Sequence, residues 1–515
     1  KYELDVKLSS ILKKEYDTQH IEFYIGGARY FNVGIAPFYK IEDNLTSNSY
    51  FVMLGDTTNQ VKLSFGLFDK IGTFIKVPLP KERTDEVTKY FKIENTSFDF
   101  IELDCNGNKG LLIPKMQKIL MAKANKDFIF GVDFGTTNTH IAYSIDNGAH
   151  STSFTITPND IQTVYMNQDD YGHPLFAELV EREFLPILIG SENSTTSYPY
   201  RTAVCETANF KVEEPVLFGN ISLGFHMLQE KLEVRGVSYR TDLKWALEMG
   251  AGTEPINILE NRVKSYCRQI LFMIKNKIVL NEGRLRTTLV LTFPGTMSRP
   301  VKNKYIGFWK QEADRILGIG NVDIKDASES VVPYYSFVCK DIKAGDAINV
   351  DIGGGTSDIL YVLPSKGIQY YSSSLFAAND LWGDGIGNIV NQKDNGFVQL
   401  MDVALEEQRI LIHDENLKKC YETTKKIAQS SADIVSFLFK YDREFRLSEL
   451  ITQNNNLYSL IFIHFASLLY HVGQTLEKLE TGLPTYLTFT GMGSKYIKLI
   501  SPMENDKRSE NKDYY

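Results

Sequence analysis

The sequence predicts a mixed α/β body preceded by a small, mostly antiparallel β domain. Three observations carry that expectation. One strand–turn–strand pattern occurs twice, at Val132–Thr139 and Val350–Ser357, 218 positions apart (Asp133 against Asp351). From Asp127 onward, apolar residues at helical spacing alternate with short β-prone runs. Residues 1–115 hold only short β-prone runs separated by turn residues.

In the first 115 residues the runs are Ile21–Tyr24, Tyr30–Val33, Ser49–Leu54, Lys62–Leu67, Phe74–Val77, Phe91–Ile93 and Phe98–Leu103. Gly26-Gly27, Gly55-Asp56 and Asn106-Gly107 supply turn chemistry between them. Glu86–Tyr90 is expected as a helical turn. Met116, Ile119 and Leu120 fall at helical spacing, so residues 116–126 are expected as a connecting helix.

The body follows. Asp127–Ile145 is the first hairpin. Residues 146–200 are polar and turn-rich, with a helical piece near Leu175–Phe184. Ile258, Leu259, Val263, Ile270, Leu271 and Ile274 predict a helix over 255–281. A strand over Thr287–Phe293, a helix over 299–317 and a strand then helix over Ile324–Val338 come next. Ala347–Leu363 carries the second hairpin. Residues 398–476 read as helical, with a polar, stranded interruption near 434–450. Leu460–Val472 reads as a buried helix too short to span a bilayer. A strand over Thr485–Thr490 runs into Gly491-Met492-Gly493-Ser494, and residues 501–515 read as a polar tail.

At 515 residues the chain holds more than one domain. The expected division is 1–115, 116–126, a first lobe over 127–345 with a peripheral part near 200–285, and a second lobe over 346–500 with a peripheral part near 386–479. The net charge of −8 argues against a general nucleic-acid binder. Five cysteines, none in a CxxC pair, read as scattered thiols of a reducing compartment, so the expected location is cytoplasmic.

The chemistry concentrates in the two hairpins. A polyphosphate needs backbone N–H donors from a turn that can approach it closely, and glycine removes the Cβ obstruction. Gly135, Gly353, Gly354 and Gly355 fit that need, and Thr136, Thr137 and Thr356 add hydroxyls. Mg²⁺ brought by the polyphosphate prefers oxygen ligands and keeps most of its waters. Asp133 and Asp351, each just before its turn, suit the holding of those waters. One such hairpin is a weak signal. The matched pair points to two turns that face each other and clamp one nucleotide.

These residues resemble the ATPase superfamily shared by actin, the seventy-kilodalton heat-shock chaperones and sugar kinases. Asp133-Phe134-Gly135-Thr136-Thr137-Asn138 is similar to its first phosphate motif, and Asp351–Asp358 to its second. The similarity is closest to the nucleotide-binding domain of the chaperones and spans about residues 128–495. Leu291–Pro294 resembles their strand ending in proline, and Ala327–Ser330 sits where they have a helix led by a glutamate. Tyr421–Lys426 resembles the helix whose Glu and Lys flank adenine. Thr490–Lys495 resembles the adenosine motif.

The resemblance implies a two-lobed, actin-like (ribonuclease H-like) ATPase fold with ATP or ADP and Mg²⁺ as ligands. Asp133 and Asp351 would hold hydrated Mg²⁺, and Glu329 and Asp351 would orient or activate the attacking water. Gly135, Thr136, Thr137, Asn138, Gly353, Gly354, Gly355, Thr356, Glu422, Lys425, Gly491, Met492, Gly493 and Ser494 would contact the nucleotide. Against this, Glu422 and Lys425 also fit a plain i,i+3 ion pair.

Two departures stand out. Where the chaperones carry a catalytic lysine, the aligned stretch Gly219–Leu223 ends in leucine, so hydrolysis is expected to be slow or served by another cation such as Lys244. The chaperones' peptide-binding domain has no counterpart after the adenosine motif, and a β domain stands in front instead. The leading expectation is therefore a chaperone-like, Mg-dependent ATPase acting as a conformational switch, with a protein partner on the N-terminal β domain. An actin-like polymerising subunit, a nucleotide-binding pseudo-ATPase and, last, a small-molecule kinase are the alternatives.

Overall fold

The computed structural model describes residues 2–3, 12–16, 20–25, 28–43, 48–56, 60–68, 74–76, 81–85, 88–94, 97–136, 138–148, 150–163, 188–190, 200–207, 215, 217–218, 221–223, 237–240, 243–247, 254–295, 297–329, 331–332, 345–382, 396–407, 410–427 and 431–500. The chain divides into two compact units. One comprises Lys1–His226, Leu232–Leu291 and Ser298–Lys325; the other comprises Met227–Lys231, Thr292–Met297 and Asp326–Tyr515. The first hairpin belongs to the former and the second hairpin to the latter.

The N-terminal strands form a six-stranded and a five-stranded sheet. Their inner faces share one core that includes Val33, Tyr50, Val52, Leu54, Phe65 and Ile101. The strand Tyr50–Asp56 is buried along its whole length, and the strand's two-residue period explains how. Tyr50, Val52 and Leu54 point into the sandwich. Phe51 and Met53 point the other way, into a second cluster with Leu217, Phe218 and Phe272. Phe51 meets Phe218 and Phe272 edge-on, at ring distances of 5.5 and 5.6 Å. The β region is thus one layer of a larger body, because its outer face packs on the helix Ile256–Leu280.

That helix is covered on nearly every side, yet it carries four buried cations between positions 262 and 277. Three are neutralised. Arg262 grips Glu206 through two 2.7 Å bonds and also reaches Glu254, fastening the helix to the small sheet of Ile221–Leu223, Val204–Thr207 and Val237–Arg240. Arg268 makes a two-pronged contact with Glu312 on the helix Arg299–Leu317, at 2.7 and 3.2 Å. Lys277 pairs with buried Asp160 at 2.5 Å and donates to the Thr155 carbonyl. Lys275 differs: its amine reaches the amide oxygen of Asn48, in the β region, at 3.4 Å. Burial pushes its pKa down to about 8.

Each hairpin lies inside a sheet of its own. The first sheet runs Thr152–Ser153, Asn138–Ile145, Phe128–Phe134, Thr287–Phe293, Val322–Ser328. The second runs Ile368–Ser374, Ser357–Leu363, Ala347–Ile352, Tyr486–Thr490. In both, the third strand in sequence lies beside the hairpin's second strand, and a strand from much later in the chain pairs with the hairpin's first.

Four expectations are corrected. Residues 116–126 are not a helix: Gln117–Ile119 pairs in parallel with Tyr39–Ile41, and Met121–Lys123 is a single 3-10 turn. One turn of helical spacing is too little to nucleate a helix against an available strand edge. Tyr90 lies in a strand, Thr88–Ile93, paired on both sides. Residues 434–450 are helical, in Ser431–Lys440, Asp442–Phe445 and Leu447–Gln453. Their buried Ile434, Val435, Phe437 and Leu438 follow helical spacing. The helix around Leu460–Val472 is longer than expected, Asn455–Lys478, and by length and composition alone it could cross a membrane. It is not buried throughout: Ile461, His464, Phe465, Leu468 and Val472 are, while Phe462, Ile463 and Tyr470 are exposed. The helical piece expected near 175–184 and the tail 501–515 lie outside the described residues.

Lys275 gives this architecture a pH signature. An unfolded lysine titrates near its ordinary 10.5, so between pH 8 and 10.5 the unfolded chain holds more protons and stability rises with pH. Below pH 8 the full penalty of burying the charge applies. Lys275→Met is expected to stabilise the protein at pH 7 by up to about 3 kcal/mol and to flatten that rise, measured by urea denaturation at stepped pH.

Candidate functional site

The two hairpins share their register. The first pairs Phe128 with Ile145 through to Phe134 with Thr139; the second pairs Ala347 with Val362 through to Ile352 with Ser357. Each aspartate sits one pair before the turn, Asp133 opposite His140 and Asp351 opposite Asp358. The turns are also alike. A Cβ on Gly135 would strike the carbonyl oxygen of Asn138, and a Cβ on Gly353 would lie 3.0 Å from that of Thr356. At Gly135 only glycine lets the fourth turn residue fold back over the first, and at Gly353 a side chain would be tight. In the second turn the Gly353 N–H donates to that Thr356 carbonyl at 2.9 Å. Its amide is therefore spent inside the turn. Gly355 is exposed, with open space where a Cβ would project.

In the first turn, Thr136 accepts a 2.9 Å hydrogen bond from the Trp245 indole, which leaves the threonine hydroxyl hydrogen available. Trp245 lies in the turn 243–247, which is held from its other end by Tyr305 donating to the Leu243 carbonyl at 2.6 Å. Buried Lys244 is in the same turn. Lys244 is thus carried on a segment tied to the first hairpin's turn. Leu223 ends a strand, its side chain buried and its N–H donating to Gln269. Thr137, Gly219 and Asn220 lie outside the described residues.

The second unit gathers more of the expected residues. The strand Tyr486–Thr490 runs parallel to Ala347–Ile352, with Thr490 beside Asp351. Asn349 stitches the two strands, donating to Thr490 at 3.1 Å and accepting from Thr488 at 2.7 Å. Gly491 follows with φ +80°, and a Cβ there would meet both the Ile352 carbonyl and the Asp351 carboxylate. Gly493 packs on Ile352 and Ala378, which a Cβ there would approach to 2.6 and 2.9 Å. Met492 is exposed, and Ser494 closes the turn by donating its hydroxyl to the Gly491 carbonyl at 2.7 Å. The adenosine-like motif therefore rests directly on the second phosphate-like turn, at the carboxyl ends of two parallel strands, where open α/β sheets place ligands.

Glu329 follows the strand Val322–Ser328, and its N–H donates to the Phe293 carbonyl at 3.0 Å, joining the ends of two strands. Glu422 and Lys425 form an i,i+3 ion pair at 2.9 Å, and Lys425 also holds Asp402 at 2.7 Å while lying 4.7 Å over the Tyr421 ring. Desolvation alone would depress the Lys425 pKa, but its bonds to Asp402 and Glu422 outweigh it and hold the pKa up.

Sequence reading missed Asp358. It is buried, and its Oδ2 accepts from the Thr356 hydroxyl at 3.3 Å while its Oδ1 has no hydrogen-bond partner. In the first turn the Asn138 Oδ1 is likewise buried and unpartnered. Buried acceptors without partners are rare and costly. Donors on a ligand or on a hydrated cation would complete both. Among the described residues no three His, Cys, Asp or Glu side chains gather as a metal cage. Hydrated Mg²⁺ asks for less, one or two carboxylates, and Asp351 with its register partner Asp358 fits that requirement.

No protein-family model matches the chain, and no curated protein does. Among solved structures the chain is similar to MreB5 of Spiroplasma citri bound to ADP, at 11% identity and a TM-score of 0.32, over 74% of this chain and 89% of that one.

The seat of Gly491 is directly testable. Gly491→Ala combines a left-handed φ with a carbonyl clash and is expected to destabilise the protein by about 1–3 kcal/mol. Urea denaturation reads the loss; an unchanged midpoint would show that the motif does not rest on Ile352.

Proposed function

We propose that the chain is an ATP-binding member of the actin-like ATPase superfamily, an Mg-dependent and slow ATPase used as a conformational switch. The observation that supports this best is the seat of Gly491 on Asp351 and Ile352, which joins an adenosine-like motif to one of two register-matched phosphate turns. In this reading each turn is a binding place for polyphosphate oxygens. Bound ATP supplies the reacting γ-phosphoryl group, and bound Mg²⁺ neutralises its charge. Asp133, Asp351 and Asp358 hold the waters of the hydrated cation. Glu329 and Asp351 orient the attacking water, the Thr136 and Thr356 hydroxyls donate to phosphate oxygens, and exposed Met492 flanks the adenosine. Positioning and charge stabilisation account for most phosphoryl-transfer catalysis, so these roles suffice without covalent chemistry. The Glu422–Lys425 pair serves chiefly to fix its helix through Asp402.

A second reading, a nucleotide-binding pseudo-ATPase, is favoured by one observation. Leu223 points into a core and offers no cation. Lys244, tied to the first turn through Trp245, is the substitute in the primary reading. The β region, sharing a core with the helix Ile256–Leu280, carries the protein partner as a fixed part of its unit. Cytoplasmic location belongs to the same proposal.

Asp133→Ala and Asp351→Ala are each expected to weaken Mg·ATP binding at least ~10-fold, about 1.4 kcal/mol, by calorimetry. If both variants bind and hydrolyse like the parent, the assignment is wrong. Lys244→Met is expected to retain ATP binding and cut phosphate release at least ~10-fold, the low end for losing one charge-stabilising group. Unaltered release would discard Lys244, and absence of release from the parent would select the pseudo-ATPase.

A further inference from the structure

We propose that the helix Asn455–Lys478 is a self-association surface, taking the same helix of a second copy of this chain, antiparallel, about a two-fold axis at Ala466. The inference is independent of nucleotide binding. The helix buries one seam, made by Ile461, His464, Phe465, Leu468 and Val472, in its own unit. Its opposite side should be charged, as on an ordinary surface helix. Instead no charged residue occurs from Asn455 to Leu476. Phe462 is 57% exposed, Ile463 59%, Leu469 40% and Tyr470 68%. With Tyr458 and Leu460, the patch offers on the order of 600 Å² of largely apolar and aromatic side-chain surface, most of the ~800 Å² each partner gives to a standard interface.

The spacing identifies the occupant. Ser459, Ala466 and Gly473, all exposed, fall seven residues apart and form a small-residue line down the outer face. Large side chains flank it at three- and four-residue steps, the arrangement of a knobs-into-holes seam. The order of sizes is also a palindrome about Ala466. An antiparallel copy sets Ser459 against Gly473, Phe462 against Tyr470 and Ile463 against Leu469. Small residues then meet small ones where the backbones must approach, and large ones interlock on either side. An unrelated partner would not require that symmetry. Self-pairing brings no like charges together, since none are present. A membrane surface fits less well: interfacial helices carry Lys or Arg on their polar face, and here the other face is packed on protein.

Light scattering on the full chain without nucleotide, over a micromolar series, is expected to give a dimer that grows no further, because an isologous contact closes on itself. Mg·ATP is expected to leave it unchanged, which separates it from a nucleotide-driven filament. Ala466→Glu sets two like charges at the axis and is expected to halve the mass with unchanged circular dichroism. Ala466→Cys tests the geometry by a second route. Mild oxidation is expected to give a covalent dimer in excess of the parent and of Ser459→Cys, whose counterpart is Gly473. A monomer at every concentration, a dimer indifferent to Ala466→Glu, or no excess cross-linking at Ala466→Cys overturns the proposal. So does a parent that stays monomeric in solution but floats with phosphatidylcholine vesicles.

Discussion

A carbonyl folded back over a residue that has no side chain is the constraint on which the site depends. It occurs at Gly135 beneath Asn138, at Gly353 beneath Thr356, and at Gly491 beneath Ile352. In the hairpins it sets turn length, and turn length sets the place of Asp133 and Asp351 one pair from the tip. At Gly491 it brings a segment 140 residues distant in sequence onto the same carboxylate (Gly491 against Asp351). Strand pairing alone would not do this: it aligns Thr490 with Asp351 but leaves the next residue free to turn either way. The glycine decides the direction. Beside each turn a buried side-chain oxygen has no hydrogen-bond partner, on Asn138 and on Asp358, and buried acceptors of that kind are rare.

The second organising feature is the strand Tyr50–Asp56, which divides its residues between two cores. A sheet buried on both faces cannot swing as a tethered module. Tyr39 donating to Asn276 and Lys275 reaching Asn48 add polar pins across the same junction. The β region is therefore fixed to the helix Ile256–Leu280 by packed side chains as well as by chain connection.

Much of this was legible in the sequence, and the exceptions have physical causes. The strand Thr287–Phe293 and the helix Arg299–Leu317 match their expected limits, because period and turn residues agree there. The hairpins were legible as a repeat, since like residues recur in like order. Asp358 was not, because it stands where the two copies differ and a repeat draws attention to identities. Helical spacing over Met116–Leu120 misled because a strand edge 78 residues away competes for that backbone (Gln117 against Tyr39). The integration of the β region was invisible for a related reason. Alternating apolar residues announce a buried face, but a strand buried on both faces resembles any short apolar run. Trp245 as an anchor for Thr136 required a tertiary contact that spacing cannot supply.

The central claim is that the Gly491 motif and the second hairpin form a nucleotide site, and titration with ATP tests it most directly. Isothermal titration of the full chain with ATP in the presence of Mg²⁺ is predicted to give one nucleotide per chain, with affinity lost when EDTA removes the metal. Two independent sites, binding indifferent to the metal, or no binding at millimolar ATP would contradict it.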